Sequence, residues 1–155
     1  MNKPDVLLDS CVLASFFLVN DSGHQEALQT IKYLFSKPEE INIILAPLVI
    51  YETSVVAIRS GYSEVAIANR LHKLLTYDQV IVISLSELAV FKHLHRTAHT
   101  SVRQPQIRTH DMLILNTAID FGALVLSSDR PLLSVCHGLD YPACSTINQL
   151  AAYQF

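Results

Sequence analysis

"THDMLILNTAIDFGALVLSSDRPLL" occupies residues 109–133. Residues 109–122 read as a helix, with Thr109 at its cap, apolar residues at helical spacing and Gly122 at its end. The aliphatic run at 123–127 reads as a buried strand. A turn follows, in which Asp129 stands before Arg130 and Pro131. Helix, glycine, strand and turn in that order are the unit of an α/β fold. They also leave a carboxylate at the carboxyl end of a buried strand. Asp129 is either a turn former or part of a site, and other carboxylates arriving at the same edge would decide for the site.

Outward from this stretch the elements alternate. "DVLLD" at 5–9 is a short buried strand. Helices are expected at 11–19 and 24–36, separated by "NDSG", with Asp21 or Ser22 capping the second. "INIILA" at 41–46 is a β-branched run and hence a strand. Pro47 then opens a helix that Gly61 closes. Ser63 caps another over 63–76, and "QVIVIS" at 79–84 is a third strand. A helix from Ser86 to about residue 99 and a loop over 100–108 lead back to Thr109. Beyond the strand at 123–127, a short helix, an edge strand near "YPACS" and a last helical turn complete the chain. The reading is a single domain over 1–155, α/β in class, with a central, mainly parallel sheet of four to five strands.

Half of the 155 residues are apolar, enough for a substantial core. The net charge of −3 carries no global basic signature, so any nucleic-acid contact must be local. Cys11, Cys136 and Cys144 are odd in number and form no CxxC pair, which argues against a disulfide scaffold or thiolate zinc site and fits the cytoplasm. Asp5 and Asp9 interrupt the apolar N-terminus, unlike the core of a signal peptide. No uncharged stretch reaches the length of a membrane span.

Four acids fall at or near the carboxyl ends of strands, where open parallel sheets form their sites. Asp9 ends the first strand, and Glu52 lies on the helix after the second. Asp111 opens the helix before the fourth strand, and Asp129 follows that strand. Each has a plain structural explanation. Asp9 can cap a helix, Asp111 can favour a helix dipole, Glu52 can face solvent and Asp129 can form a turn. Together they suggest a cleft of mutually repelling carboxylates that needs a divalent cation. Hard oxygen donors favour Mg²⁺ or Mn²⁺.

"VLLDSCVLASFF", "LVIYETSVVA" and "RTHDMLILNTAIDFGALVLSSDRPL" resemble the PIN-domain ribonucleases, VapC-type toxins among them. The resemblance covers roughly residues 5–135. It implies a PIN-like three-layer α/β/α fold and a metal-dependent endoribonuclease. Asp9, Glu52, Asp111 and Asp129 would then be the catalytic residues and would hold Mg²⁺ or Mn²⁺, with Ser127 in support. The ion would activate water and steady the departing oxygen, leaving a 5′-phosphate and a 3′-hydroxyl. Two departures are Ser10–Cys11 in place of the family's frequent Thr-Asn, and an acidic overall charge. The resemblance further implies an RNA substrate, an antitoxin protein as partner and a homodimer. The alternative is a non-catalytic PIN-like module that binds RNA or protein, against which the four retained acids weigh. A receiver or haloacid-dehalogenase type domain ranks lower, since no second Asp stands two residues after Asp9.

Residues 92–110 contain no acid and run into Asp111. Arg103 and Arg108 are the expected RNA-backbone contacts, and Arg130 beside Asp129 could pair with that acid or with a phosphate. An ordinary solvated helix face and loop explains the strip equally well. His95 and His99 stand one helical turn apart, but no nearby Glu or Cys completes a zinc site. His110 reads as a supporting group or an ordinary helix-terminal histidine. The helix pair at 47–76 offers Val49, Val56, Ile67, Leu71, Leu74 and Leu75 either to the core or to a partner's amphipathic segment.

Overall fold

β1 (Asp5–Leu8) is buried at every residue but its first. A strand covered on both faces needs apolar side chains on both, so it reads as a continuous run rather than an alternation. β2 (Asn42–Leu45) and β4 (Leu124–Leu126) have the same character. The structure, a computed structural model, describes residues 3–84 and 108–153. With β3 (Val80–Val82) and β5 (Ala143–Cys144), these strands form a five-stranded sheet in the order β3-β2-β1-β4-β5, parallel throughout.

The chain leaves β1 in one direction, towards β2 and β3, and later builds β4 and β5 in the other. Right-handed crossovers running in opposite directions put their helices on opposite faces of a sheet. α1 (Ser10–Phe17), α2 (His24–Phe35), α3 (Pro47–Arg59) and α4 (Glu64–Leu75) belong to the first half. There α1 packs on α2 and α3, and α3 packs on α4. α5 (Thr109–Phe121) and α6 (Arg130–Gly138) belong to the second half and pack on each other. α7 (Ile147–Ala152) follows β5 and meets α2. The result is the expected PIN-like α/β/α arrangement, and the reversal of direction leaves a crevice between β1 and β4.

Local chemistry explains most element ends. Pro47 stands in the first turn of α3, where its missing N–H costs nothing. Ser63 caps α4 by accepting the Ala66 N–H at 3.2 Å. Gly122 closes α5 in the left-handed region at φ 63°. Three ends differ from the sequence reading. The cap of α2 is Gly23, while Asp21 accepts the Gly23 N–H at 2.8 Å and holds the preceding turn. The cap of α5 is Arg108, making Thr109 its first helical residue. α1 begins at Ser10, one residue early, because Asp9 itself serves as the cap.

The helix pair gives most of its six apolar residues to the core, the first of the two expected alternatives. Val49, Ile67, Leu71 and Leu74 are buried in the common core, and only Val56 (41% exposed) and Leu75 (38%) remain open. Covering the sheet consumes the rest. An apolar cavity of about 450 Å³ lies instead among α1, α2 and α4, lined by Phe16, Phe17, Ile31, Phe35 and Tyr77. All three cysteines are free. Among the described residues, no helix is long and apolar enough to cross a membrane. The helix expected from Ser86, the loop carrying Arg103, and His95 with His99 lie outside the described residues.

Candidate active site

The strand ends carry their acids into the crevice by direct continuity. The Asp9 N–H still bonds the Leu126 carbonyl at 3.0 Å, extending the β1–β4 ladder by one step. Asp9 then leaves the sheet as the cap of α1, its side-chain Oδ1 accepting from the Ser10 N–H at 2.6 Å. Asp129 leaves β4 in the same manner as the cap of α6, where it accepts the Leu132 N–H at 3.3 Å. Capping a helix and lining the crevice are therefore not alternatives here. Turning each carboxylate towards a helix N-terminus also places it at the open end of the sheet.

Ser127 ties these two ends together. It is fully buried. Its hydroxyl donates to Asp9 Oδ2 at 2.6 Å and accepts the Asp129 N–H at 2.9 Å. Cys11 adds a thiol donor to the same Asp9 oxygen at 3.0 Å. Burial, and then the charge of Asp9, push that thiol up from 9.0 to about 11, so it remains protonated at neutral pH.

Asp111, 3% exposed, lies in the first turn of α5. Arg108 faces it, with Nε on Asp111 Oδ2 at 2.9 Å, and its other arm bonds Asp129. The link to Asp111 is the main reason why the guanidinium pKa is raised. His110 Nε2 stands 3.3 Å from Asp111 Oδ1. Glu52 is half-buried on α3 and reaches the same cavity from the other side. That cavity measures about 470 Å³ and is lined by Asp9, Glu52, Asp111 and Asp129, among others.

All four acids thus meet at one cavity, although among the described residues no three metal-type ligands are drawn around a single point. Asp9 is the telling member. It is 3% exposed, and its partners Ser10, Cys11 and Ser127 are all neutral donors. A carboxylate taken out of water without a counter-charge is costly, and a cation at its side offsets that cost. The donors are hard oxygens, so the residues suit Mg²⁺ or Mn²⁺ in chemistry.

Arg108 and Arg130 differ in what they meet. Arg108 is an ion-pair partner of Asp111 and Asp129, with 55% of its side chain still exposed. Arg130 is exposed in the first turn of α6, and it is Arg108 that pairs with Asp129. Two further lining residues, Tyr51 and Arg59, escaped the sequence reading. The available signal was helical register, since Arg59 lies two turns after Glu52.

The PIN domain family profile matches residues 6–137. No curated protein matches the sequence. Among solved structures, the chain resembles VapC20 of Mycobacterium tuberculosis, described as a toxin that cleaves the Sarcin-Ricin loop. The TM-score is 0.64 at 17% identity, covering 84% of this chain and 94% of the other. The family match spans the strand-end acids and the crevice between β1 and β4, and this chain belongs to the PIN domain family.

Proposed function

We propose that the chain is a metal-dependent endoribonuclease of one PIN domain, acting in the cytoplasm as the toxin of a toxin–antitoxin pair. The observation that carries this reading is the meeting of Asp9, Glu52, Asp111 and Asp129, from four separate segments, at one cavity beside the sheet's switch point. Membership of a family of nucleases and the likeness to VapC20 support it. An antitoxin protein and a second copy of the chain belong to the same reading as partners.

Asp9, Glu52, Asp111 and Asp129 would hold Mg²⁺ or Mn²⁺. When bound, that ion supplies an activated water for in-line attack on the phosphodiester and charge stabilisation for the departing oxygen. Ser127 fixes Asp9 Oδ2 in place through its 2.6 Å bond. The Ser10 N–H holds the other oxygen. Arg108 keeps Asp111 and Asp129 side by side despite their like charge. Arg103 and Arg130 would contact the RNA backbone, and Arg108, its charge shared with Asp111 and Asp129, would add only its exposed edge.

Labelled RNA incubated with the purified chain tests this. Cleavage should require Mg²⁺ or Mn²⁺ and stop with chelator. Asp9→Asn, Asp111→Asn and Asp129→Asn should each reduce it at least a hundredfold, on the order of losing one key electrostatic group. Full metal-dependent activity in all three variants, or RNA binding without any cleavage by the wild type, overturns the reading.

A further inference from the structure

The face of α3 that borders the acidic cavity carries more than Glu52. Val55, Val56 and Arg59 also line it, at three, four and seven residues beyond Glu52. That spacing is one face of a helix. Arg59 therefore stands two turns from Glu52, about 10 Å along the axis. Tyr51, next to Glu52, lines the same cavity with 68% of its surface exposed.

Charge makes Arg59 notable. The cavity is lined by five carboxylates, counting Asp21, and by two arginines. Arg108 is engaged by Asp111 and Asp129. Arg59 has no ion pair among the described residues and is exposed. A polyanion entering such a cavity needs a cation that is not already neutralised. A Lys or Arg in the last helical turn is ordinarily explained by the helix dipole. The dipole does not account for the exposed Tyr51 ring on the same cavity wall. An exposed aromatic on the same wall as a phosphate-binding cation, here eight residues and about 12 Å of helix away, suits single-stranded nucleic acid, one group gripping the backbone and the other stacking a base.

We propose that this face of α3 is a second contact for the RNA strand, with Arg59 binding a phosphate away from the scissile one and Tyr51 stacking an unpaired base. The inference rests on the ribonuclease reading of the same cavity. It implies a preference for single-stranded or looped RNA, because paired bases hide their faces within a duplex.

The test uses the full chain and a fluorescent single-stranded RNA oligonucleotide. Binding is followed by anisotropy with chelator over a salt series, and cleavage kinetics are measured with Mn²⁺. Arg59→Gln should flatten the log–log salt slope by about 0.7, the value for one phosphate contact on a single strand. Arg59→Lys should restore it. Tyr51→Ala should weaken single-strand binding about tenfold, while Tyr51→Phe keeps it, and duplex binding should not respond to either. In cleavage, Arg59→Gln and Tyr51→Ala should raise KM more than they lower kcat. Wild-type affinity and salt slope in both variants, on an RNA that the wild type cleaves, overturn the α3 contact and leave the nuclease reading standing. A wild-type chain that neither binds nor cleaves RNA overturns both.

Discussion

Ser127 shows how much of the site depends on one small side chain. Its hydroxyl donates to Asp9 and accepts from the Asp129 backbone, so it links the ends of β1 and β4. Ser127→Ala leaves the Asp129 N–H without its side-chain partner and removes one donor from a buried carboxylate. Losing such partners costs about 1–3 kcal/mol. Urea unfolding should show a loss in that range, and cleavage should fall with it as Asp9 loses its fixed orientation. A variant as stable as the wild type would mean that the two bonds contribute nothing net. Arg108 carries the complementary lesson. Its residue type suggested a phosphate contact, and its place in the cap of α5 also gives it Asp111 and Asp129 as partners, with 55% of its side chain left exposed. Sequence shows that an arginine is near an acid, but cannot show which charge it will satisfy.

At the scale of elements, punctuation was the most legible feature. Gly122 is the clearest case, at φ 63° with nothing within 4 Å of a Cβ built there. A side chain at this position meets no clash, so its cost is that of the left-handed backbone alone, about 1 kcal/mol. Gly122→Ala should lower unfolding free energy by about that amount, and Gly122→Asn by less, since asparagine tolerates the conformation. Equal stability of all three chains would contradict the assigned backbone. Pro47 and Ser63 were legible for the same reason, because their roles are local. The cap of α2 was not, because Asp21 bonds the turn instead of the helix. Nor were Tyr51 and Arg59 legible as cavity residues. α3 is apolar around much of its circumference, so periodicity alone does not say which stripe faces the sheet and which the cavity.

Across the whole molecule, the strand order was the missing information. Parallel alternation was readable, but the placement of β1 beside β4 follows from a reversal that no local signal marks. Once it is known, the meeting of Asp9 and Asp129 follows directly. The same packed interior sets how the molecule responds to alkali. Burial raises Cys136 from 9.0 to about 11 and Cys144 from 9.0 to about 12, and burial followed by the charge of Asp9 raises Cys11 from 9.0 to about 11. Below about pH 8, a full unit under the unfolded thiol's 9.0, these groups stay almost wholly protonated in both folded and unfolded chains, and stability is unaffected by them. As pH rises further, the unfolded chain loses thiol protons that the fold retains. Stability therefore falls from about pH 8, most steeply above 9, until the folded groups ionise at about 11 to 12. Urea midpoints should be level through about pH 7.5, begin to decline near 8 and fall more steeply above 9. Cys136→Ala with Cys144→Ala keeps small apolar side chains at both positions and should make that decline shallower, whatever the variant's stability at neutral pH. An unchanged slope in the double variant would assign the alkaline loss to other groups, of which Tyr141, raised by burial from 10.0 to about 12, is the next to examine.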